Sequence, residues 1–213
     1  IWDLESGGQI KQMKGHKKKI NSIVKIDEKT IVSGGDDQSM FLWDLDFRSC
    51  METRARSSRL LRGAAHLYPH LDVRTIAVID KDRIVLAGGL RTLEAGLLMW
   101  AYPIIILNVH TGEELKTLRG RGAKGHMDIV NSVIVMNKDT IVSGSDDSTI
   151  KMWDLNSGNV IKTLIQDYPV HCIAAPDEST IVSCNQHDNL INIWHSPPTL
   201  VKCIDHSSSG GGG

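Results

Sequence analysis

Two sets of residues in this sequence have the types that hydrolytic enzymes use for nucleophilic catalysis. In such a triad an aspartate orients a histidine, and the histidine takes the proton of a serine hydroxyl. The types recur at a constant offset of 110 positions, as His16, Ser33 and Asp37 and again as His126, Ser143 and Asp147. Each serine lies in a short β-rich run, which predicts a buried strand. Because the set also recurs with each unit, we interpret it as structural and expect no enzyme.

Two further patterns have the spacing of ligand sites. Residues 120–125 read Gly-Arg-Gly-Ala-Lys-Gly, but a phosphate loop of this type needs a following helix N-terminus, and no helix is predicted there. Cys184 and His187 are spaced like metal ligands, and His171 is adjacent to Cys172, yet no second pair completes a site. We therefore expect no cofactor and no bound metal.

Tryptophan marks the elements that must position these residues. The chain has 5 Trp beside only 2 Phe and 3 Tyr. Trp2 and Trp43 are separated by 41 residues, and so are Trp153 and Trp194. A Trp-Asp repeat with a period of about 40–45 residues is typical of four-stranded blades.

Residues 15–44 and 125–154 share Gly-His, Thr-Ile-Val-Ser-Gly, Asp-Asp and Trp-Asp at fixed positions. On these motifs the chain resembles the WD-repeat family of β-propellers over nearly its whole length. The resemblance implies an all-β fold in which the His, strand Ser, turn Asp and Trp of a blade form one hydrogen-bonded chain. In the last unit Ile165-Gln166 replaces Gly-His. The residues assigned to this network are His16, Ser33, Asp37, Trp43, His126, Ser143, Asp147, Trp153, Ser183, Asp188 and Trp194.

The repeat divides residues 1–206 into a half blade and about four complete blades. The predicted bounds are 1–14 for the half blade and about 15–62, 63–120, 121–165 and 166–206 for the blades. Propellers of this family mostly have six or seven blades, so we expect an open fragment of a larger ring. The Ser/Gly tail, residues 207–213, predicts a flexible end.

The second blade departs from the pattern. Ala87 is assigned to the serine position and Leu107 to the tryptophan position, with about ten residues inserted at roughly 90–103. Trp100 lies in this apolar insertion, which predicts a partner contact or a loop that buries itself over the channel. Residues 46–106 are either a genuine divergent blade or a gene-model artefact.

The resemblance also implies a binding surface, the top face, formed by the Gly-His loops and the Asp-containing turns. Positions three and five after the Gly-His histidine, and the one before the turn aspartate, point into it. With the insertion, the candidate partner-binding residues are Lys19, Asn21, Asp36, Asp72, Arg74, Trp100, Ile129, Asn131, Asp146, His171 and His187.

Composition narrows the class of function. The net charge of −1 argues against general nucleic-acid affinity, and 4 Cys do not make a disulfide framework. No apolar run approaches the ~18 residues of a membrane span, so we expect an intracellular protein, cytoplasmic or nuclear, with no membrane partner. We predict a non-catalytic scaffold that binds proteins or peptides. The alternatives are an accessory or substrate-reading domain of a larger enzyme assembly, and a phosphopeptide or nucleic-acid reader using the arginine-rich segment 48–74.

Overall fold

The computed structural model describes residues 1–45, 58–60, 71–94, 97–119, 124–185, 187, 190–195 and 199–205. These residues form seventeen β-strands and no α-helix. Short runs rich in Val, Ile and Thr, separated by Asp, Gly, Asn and Ser, favour strands of this length. The strands are β1 Ile20–Lys25, β2 Thr30–Gly35, β3 Met40–Asp44, β4 Ser58–Leu60, β5 Leu71–Val78, β6 Arg83–Glu94, β7 Leu97–Ala101, β8 Ile104–Asn108, β9 Glu114–Leu118, β10 Val130–Asn137, β11 Thr140–Ser145, β12 Thr149–Asp154, β13 Val160–Ile165, β14 Cys172–Asp177, β15 Thr180–Cys184, β16 Leu190–His195 and β17 Thr199–Asp205.

The strands form four antiparallel sheets in chain order. The first, third and fourth sheets have four strands each, in the orders β1-β2-β3-β4, β10-β11-β12-β13 and β14-β15-β16-β17. The second has the order β5-β6-β8-β9, with β7 pairing to β6. This architecture confirms the predicted all-β blades. The described sheets do not close into a ring.

Each sheet packs face to face on the next, and three apolar clusters fill the spaces between them. One lies between the first and second sheets around Val32 and Leu86, the next between the second and third around Val85 and Trp153, and the last around Ile150 between the third and fourth. The first strands of neighbouring sheets are in contact. Burial against both neighbours is what stabilises an interior blade.

A repeated hydrogen bond joins the first strands of neighbouring sheets. In each case a hydroxyl oxygen accepts the backbone N–H of the next sheet, at 3.0–3.2 Å. The pairs are Ser22 with Ile76, Thr75 with Val133, and Ser132 with Ile173. The bond fixes the register of one sheet relative to the next.

Close approach between sheets explains one glycine of the repeat. A Cβ on Gly34 would lie 2.6 Å from Cγ1 of Val73, and one on Gly144 would lie 2.5 Å from Cγ1 of Val170. Both distances are shorter than van der Waals contact allows. In these two sheets the absence of a Cβ therefore allows the valine of the next blade to approach this closely.

The register of the second sheet corrects one assignment. Leu107 pairs with Ile84 as Trp43 pairs with Ile31, so Leu107 does occupy the tryptophan position. The residue at the serine position, however, is Leu86 and not Ala87, because Ala87 pairs with Thr75 as Gly34 pairs with Ser22. The pairing of β6 with β5 and β8 fixes this position, because each β6 residue faces a defined partner on the two neighbouring strands.

The insertion of the second sheet is a β-hairpin. Strand β6 runs five residues past Gly89, and Leu90–Glu94 pair with Leu97–Ala101. The adjoining Tyr102 is half-buried against the cluster between the second and third sheets, and Pro103 is buried. The hairpin is therefore a continuation of β6, the strand that pairs with β5. It stands at the position where the other sheets have their Asp-containing turn.

The first sheet has one open face. Residues 1–13 contribute an isolated bridge between Trp2 and Gln9, and a cavity of about 310 Å³ separates this segment from Trp43. Ile23 is 59% exposed, whereas Ile76, at the same position of the second sheet, is 4% exposed. A face that is buried in the interior blades is thus uncovered here.

Candidate interaction face

The assigned network residues of the first and third sheets lie within hydrogen-bond distance of one another. The imidazole Nδ1 of His126 is 2.8 Å from Oδ2 of Asp147, and its Nε2 is 2.7 Å from Oγ of Ser143. Trp153 donates its indole N–H to the same hydroxyl at 2.8 Å. Since an ionised carboxylate only accepts, Nδ1 carries the proton and Nε2 accepts from the serine.

The first sheet repeats this arrangement. His16 Nδ1 lies 2.9 Å from Oδ1 of Asp37, and its Nε2 lies 2.7 Å from Oγ of Ser33, which accepts the indole N–H of Trp43 at 2.7 Å. Phe41 packs edge-on against the imidazole. The serine Oγ is thus shared by an indole and an imidazole and is not open to a substrate.

Burial and the hydrogen bonds set the protonation states of this network. Burial lowers the pKa of His126 below its ordinary value of 6.5, although Asp147 opposes the shift. Burial alone would raise the pKa of Asp147, but bonds from His126, Thr149 and the backbone N–H of Met127 outweigh it and hold that pKa far below 3.8. For Asp37 the same balance of burial against the bonds from Lys17 and His16 lowers the pKa. In the third sheet the network is therefore a neutral His126 bonded to an ionised Asp147.

The fourth sheet builds the network with a different residue. Gln166 donates from Nε2 to Oγ of Ser183 at 2.5 Å, and Trp194 donates to the same oxygen at 3.1 Å. Asn192 donates to Oε1 of Gln166 at 3.3 Å. An amide has both a donor and an acceptor, so it can take the place of the imidazole. Asp188 lies outside the described residues.

The second sheet replaces the polar pair by an apolar one. Leu86 and Leu107 are fully buried at the serine and tryptophan positions. Replacing both partners of a buried hydrogen bond by apolar groups leaves no group unsatisfied. The two substitutions are therefore mutually consistent.

On the top face, two of the candidate aspartates are engaged within the fold. Asn21 donates from Nδ2 to Asp36 Oδ1 at 2.6 Å and to the carbonyl of Val73 in the next sheet at 2.9 Å. Asn131 makes the same two bonds, to Asp146 at 2.6 Å and to the carbonyl of Val170 at 3.1 Å. These four candidate side chains thus join a turn to the neighbouring sheet. The recurrence of Ile-Asn-Ser-Ile as Val-Asn-Ser-Val shows in the sequence that this position repeats, but it does not show which groups the asparagine binds.

The other candidate residues lie at the same end of the sheets, the end that forms the top face. Lys19 is exposed, and Asp72, Arg74 and Ile129 are half-buried at the equivalent first-strand positions. In the fourth sheet His171 is exposed, and the ring of His187 stacks on Tyr168 with centroids 5.6 Å apart. The Trp100 backbone pairs with Arg91, while its side chain is outside the described part. The structure therefore places these residues along one edge of consecutive sheets.

The remaining sequence patterns do not converge on a ligand site in the described part of the chain. Cys172 and Cys184 are opposite one another across β14 and β15, as free thiols, and burial raises the pKa of Cys184. No three His, Cys, Asp or Glu side chains gather there to hold a metal ion. Of the loop 120–125, the structure describes only Lys124 and Gly125. Where the chain is described, none of its segments is an apolar helix long enough to cross a membrane.

Comparison with known proteins identifies the repeat. Residues 7–44 and 112–154 match the family model "WD domain, G-beta repeat". The chain is 23% identical over 97% of its length to the DENN domain and WD repeat-containing protein SCD1 of Arabidopsis thaliana, covering 16% of that protein. It is 37% identical over 35% of its length to the pre-mRNA-splicing factor cwf17 of Schizosaccharomyces pombe, covering 22% of it. The chain thus spans less than a quarter of these relatives.

The fold gives the same result. A solved structure of U3-55K matches with a TM-score of 0.66 at 17% identity, covering 91% of this chain and 54% of that chain. The two repeats of the family model contain the hydrogen-bonded networks of the first and third sheets. Two segments of the chain, residues 7–44 and 112–154, are therefore WD repeats, and the all-β fold is similar to that of U3-55K.

Proposed function

We propose that the chain is a non-catalytic scaffold that binds protein or peptide partners on its top face. The supporting observation is a contrast within the repeat itself. The Ser and Trp positions recur in the first, third and fourth sheets. By contrast, the position three after the Gly-His histidine is Lys19 in the first unit and Ile129 in the third, and the aligned residues of the second and fourth units are Asp72 and Pro169. Varied side chains on a constant framework are typical of recognition surfaces.

The residues with catalytic types support a scaffold and not an enzyme. Both Asp-His-Ser sets have their serine hydroxyl inside a sheet, shared with a tryptophan. A hydrolase needs that hydroxyl within reach of a substrate carbonyl. WD-repeat proteins generally act as non-catalytic platforms, which agrees with this geometry.

Among the alternatives, an accessory domain of a larger protein has one observation in its favour. The chain corresponds to only 16% of a relative whose name includes a second domain. In that case the top face would bring a partner to chemistry located outside these residues. A relative named as a splicing factor fits assembly with other proteins inside the cell, and we propose an intracellular location. The other alternative is a phosphopeptide or nucleic-acid reader that uses the arginine-rich segment 48–74. Of the arginines in that segment, Arg74 is the one that the structure describes on the top face.

The test is affinity capture with charge-swapped faces. The top variant combines Lys19→Glu with Asp72→Lys. The matched control at the opposite end combines Lys138→Glu with Glu178→Lys, two exposed residues of the β10–β11 and β14–β15 turns. Neither pair alters net charge. We expect the same proteins to be captured by the unmodified chain and the control but not by the top variant. Equal capture by all three would refute binding on this face.

A further inference from the structure

The first strands of three sheets contain a β-bulge at the same place on the top face. The ladder of β1 with β2 skips Asn21, that of β5 with β6 skips Arg74, and that of β10 with β11 skips Asn131. A bulge leaves one residue outside the ladder and redirects its side chain. Arg74 therefore occupies the position of two structural asparagines.

The two asparagines and Arg74 differ in their partners. Each asparagine is held by an aspartate of its own turn and by a carbonyl of the next sheet. In the second sheet the residue at the aspartate position is Gly89, because Gly88 pairs with Val73 as Gly35 pairs with Ile20. The turn that carries the aspartate is replaced by the hairpin of β6 and β7.

Arg74 therefore has no turn aspartate at the position that binds the two asparagines. Its side chain is half-buried, and its Nε is buried with no hydrogen-bond partner among the described residues. A buried donor of a charged group that lacks an acceptor is costly. An incoming acceptor would remove this cost, which makes the position suited to a ligand.

The chemistry of the ligand follows from the guanidinium and its surroundings. A guanidinium presents parallel N–H donors that match the two oxygens of a carboxylate or a phosphate. The turns of the flanking sheets carry Asp36 and Asp146. Two fixed carboxylates on the same face disfavour a polyanion such as a nucleic acid, but they leave room for a single anionic side chain.

We propose that Arg74 binds one anionic side chain of a peptide partner, either a glutamate or aspartate carboxylate or a phosphorylated residue. The inference rests on the proposed function and names the group that the top face recognises. The hairpin of β6 and β7 begins beside Arg74, since Asp72 pairs with Gly89 and Leu71 with Leu90, so it borders the bound peptide on one side.

The test uses arrays of nonapeptides whose central residue is glutamate, phosphoserine or glutamine, with non-acidic residues elsewhere. The best binders are then measured by fluorescence polarisation against three proteins. These are the unmodified chain, Arg74→Asn, and Lys138→Asn as a control that removes the same charge at the opposite end. Arg74→Asn restores the residue of the sister blades, so we expect it to fold. Circular dichroism checks this, and Arg74→Gln provides a second neutral variant.

We expect glutamate or phosphoserine peptides to bind at least tenfold more tightly than their glutamine counterparts, and Arg74→Asn to abolish that preference while Lys138→Asn keeps it. The comparison of glutamate with phosphoserine identifies the source of the anion. If peptides bind but the central residue and Arg74 have no effect, the inference is wrong and the proposed function stands. If no peptide of any class binds the unmodified chain, both are contradicted.

Discussion

Removing the Ser143 hydroxyl tests whether the Asp-His-Ser set is a structural network. Oγ of Ser143 is fully buried and lies 2.7 Å from Nε2 of His126 and 2.8 Å from Nε1 of Trp153. The Ser143→Ala substitution leaves a buried acceptor on the imidazole and a buried donor on the indole. Each unsatisfied group costs about 1–3 kcal/mol, so we expect the free energy of unfolding to fall by roughly 2–5 kcal/mol.

A double-mutant cycle separates this cost from a general packing effect. In Trp153→Phe the indole N–H is already absent, so adding Ser143→Ala should cost about 1–2 kcal/mol less than it does in the unmodified chain. Urea unfolding followed by far-UV circular dichroism measures each variant, with an unchanged denaturant slope as the condition for comparing them. Ser157→Ala, on an exposed turn, is the control.

Two outcomes would refute this reasoning. A loss below about 0.5 kcal/mol for Ser143→Ala would place the serine among ordinary surface substitutions. Strict additivity with Trp153→Phe would show that the hydroxyl and the indole do not act together.

Three more predictions concern pH, sheet contact and the open face. Burial lowers the pKa of His126 below 6.5, so the unfolded chain takes up the proton first and stability should decline as the pH falls below about 6.5. Because the pKa of Asp147 is lowered, its carboxylate stabilises the folded chain above pH 3.8, and this stabilisation is lost as the pH falls further. Urea midpoints between pH 7.5 and 5 measure the first effect. Gly144→Ala should destabilise the chain by about 1–3 kcal/mol in the same assay, because its Cβ would meet Val170, which lies just before the first strand of the fourth sheet. Ile76 is 4% exposed, so Ile76→Asp should destabilise the fold enough to abolish its cooperative unfolding transition. Ile23 is at the same repeat position but 59% exposed, so Ile23→Asp should change the free energy of unfolding by less than about 1 kcal/mol.

The repeat provides the controls for these variants. His126→Gln copies Gln166 of the fourth sheet and should flatten the pH dependence between 6.5 and 5, since glutamine does not titrate. An unchanged slope would assign the effect to another group. Gly144→Ala has a natural precedent in Ala87, where the neighbouring sheet accommodates a methyl group. Equal destabilisation by Ile76→Asp and Ile23→Asp would contradict the burial difference between the two faces.

The candidate site was only partly accessible from the sequence. Lys19 and Ile129 could be found by counting from the histidine of each Gly-His motif, and Asp72 by aligning the second unit with the others. The use of Asn21 and Asn131 as links to the next sheet could not, because the acceptor carbonyls are 52 and 39 residues away in the chain. A contact at that separation depends on how two sheets pack.

The sequence by itself determined the repeating unit, since the spacing of Trp43 and Trp153 from their Gly-His motifs sets strand order and the composition of each network. Only the tertiary structure decided what happens where the repeat fails. It placed Leu86 and not Ala87 at the serine position, turned the insertion into a β-hairpin, and left Arg74 without the aspartate that its sister asparagines bind. The reason is that a strand's register is fixed by its partner strand across the sheet, and a one-residue error in alignment moves a side chain to the opposite face.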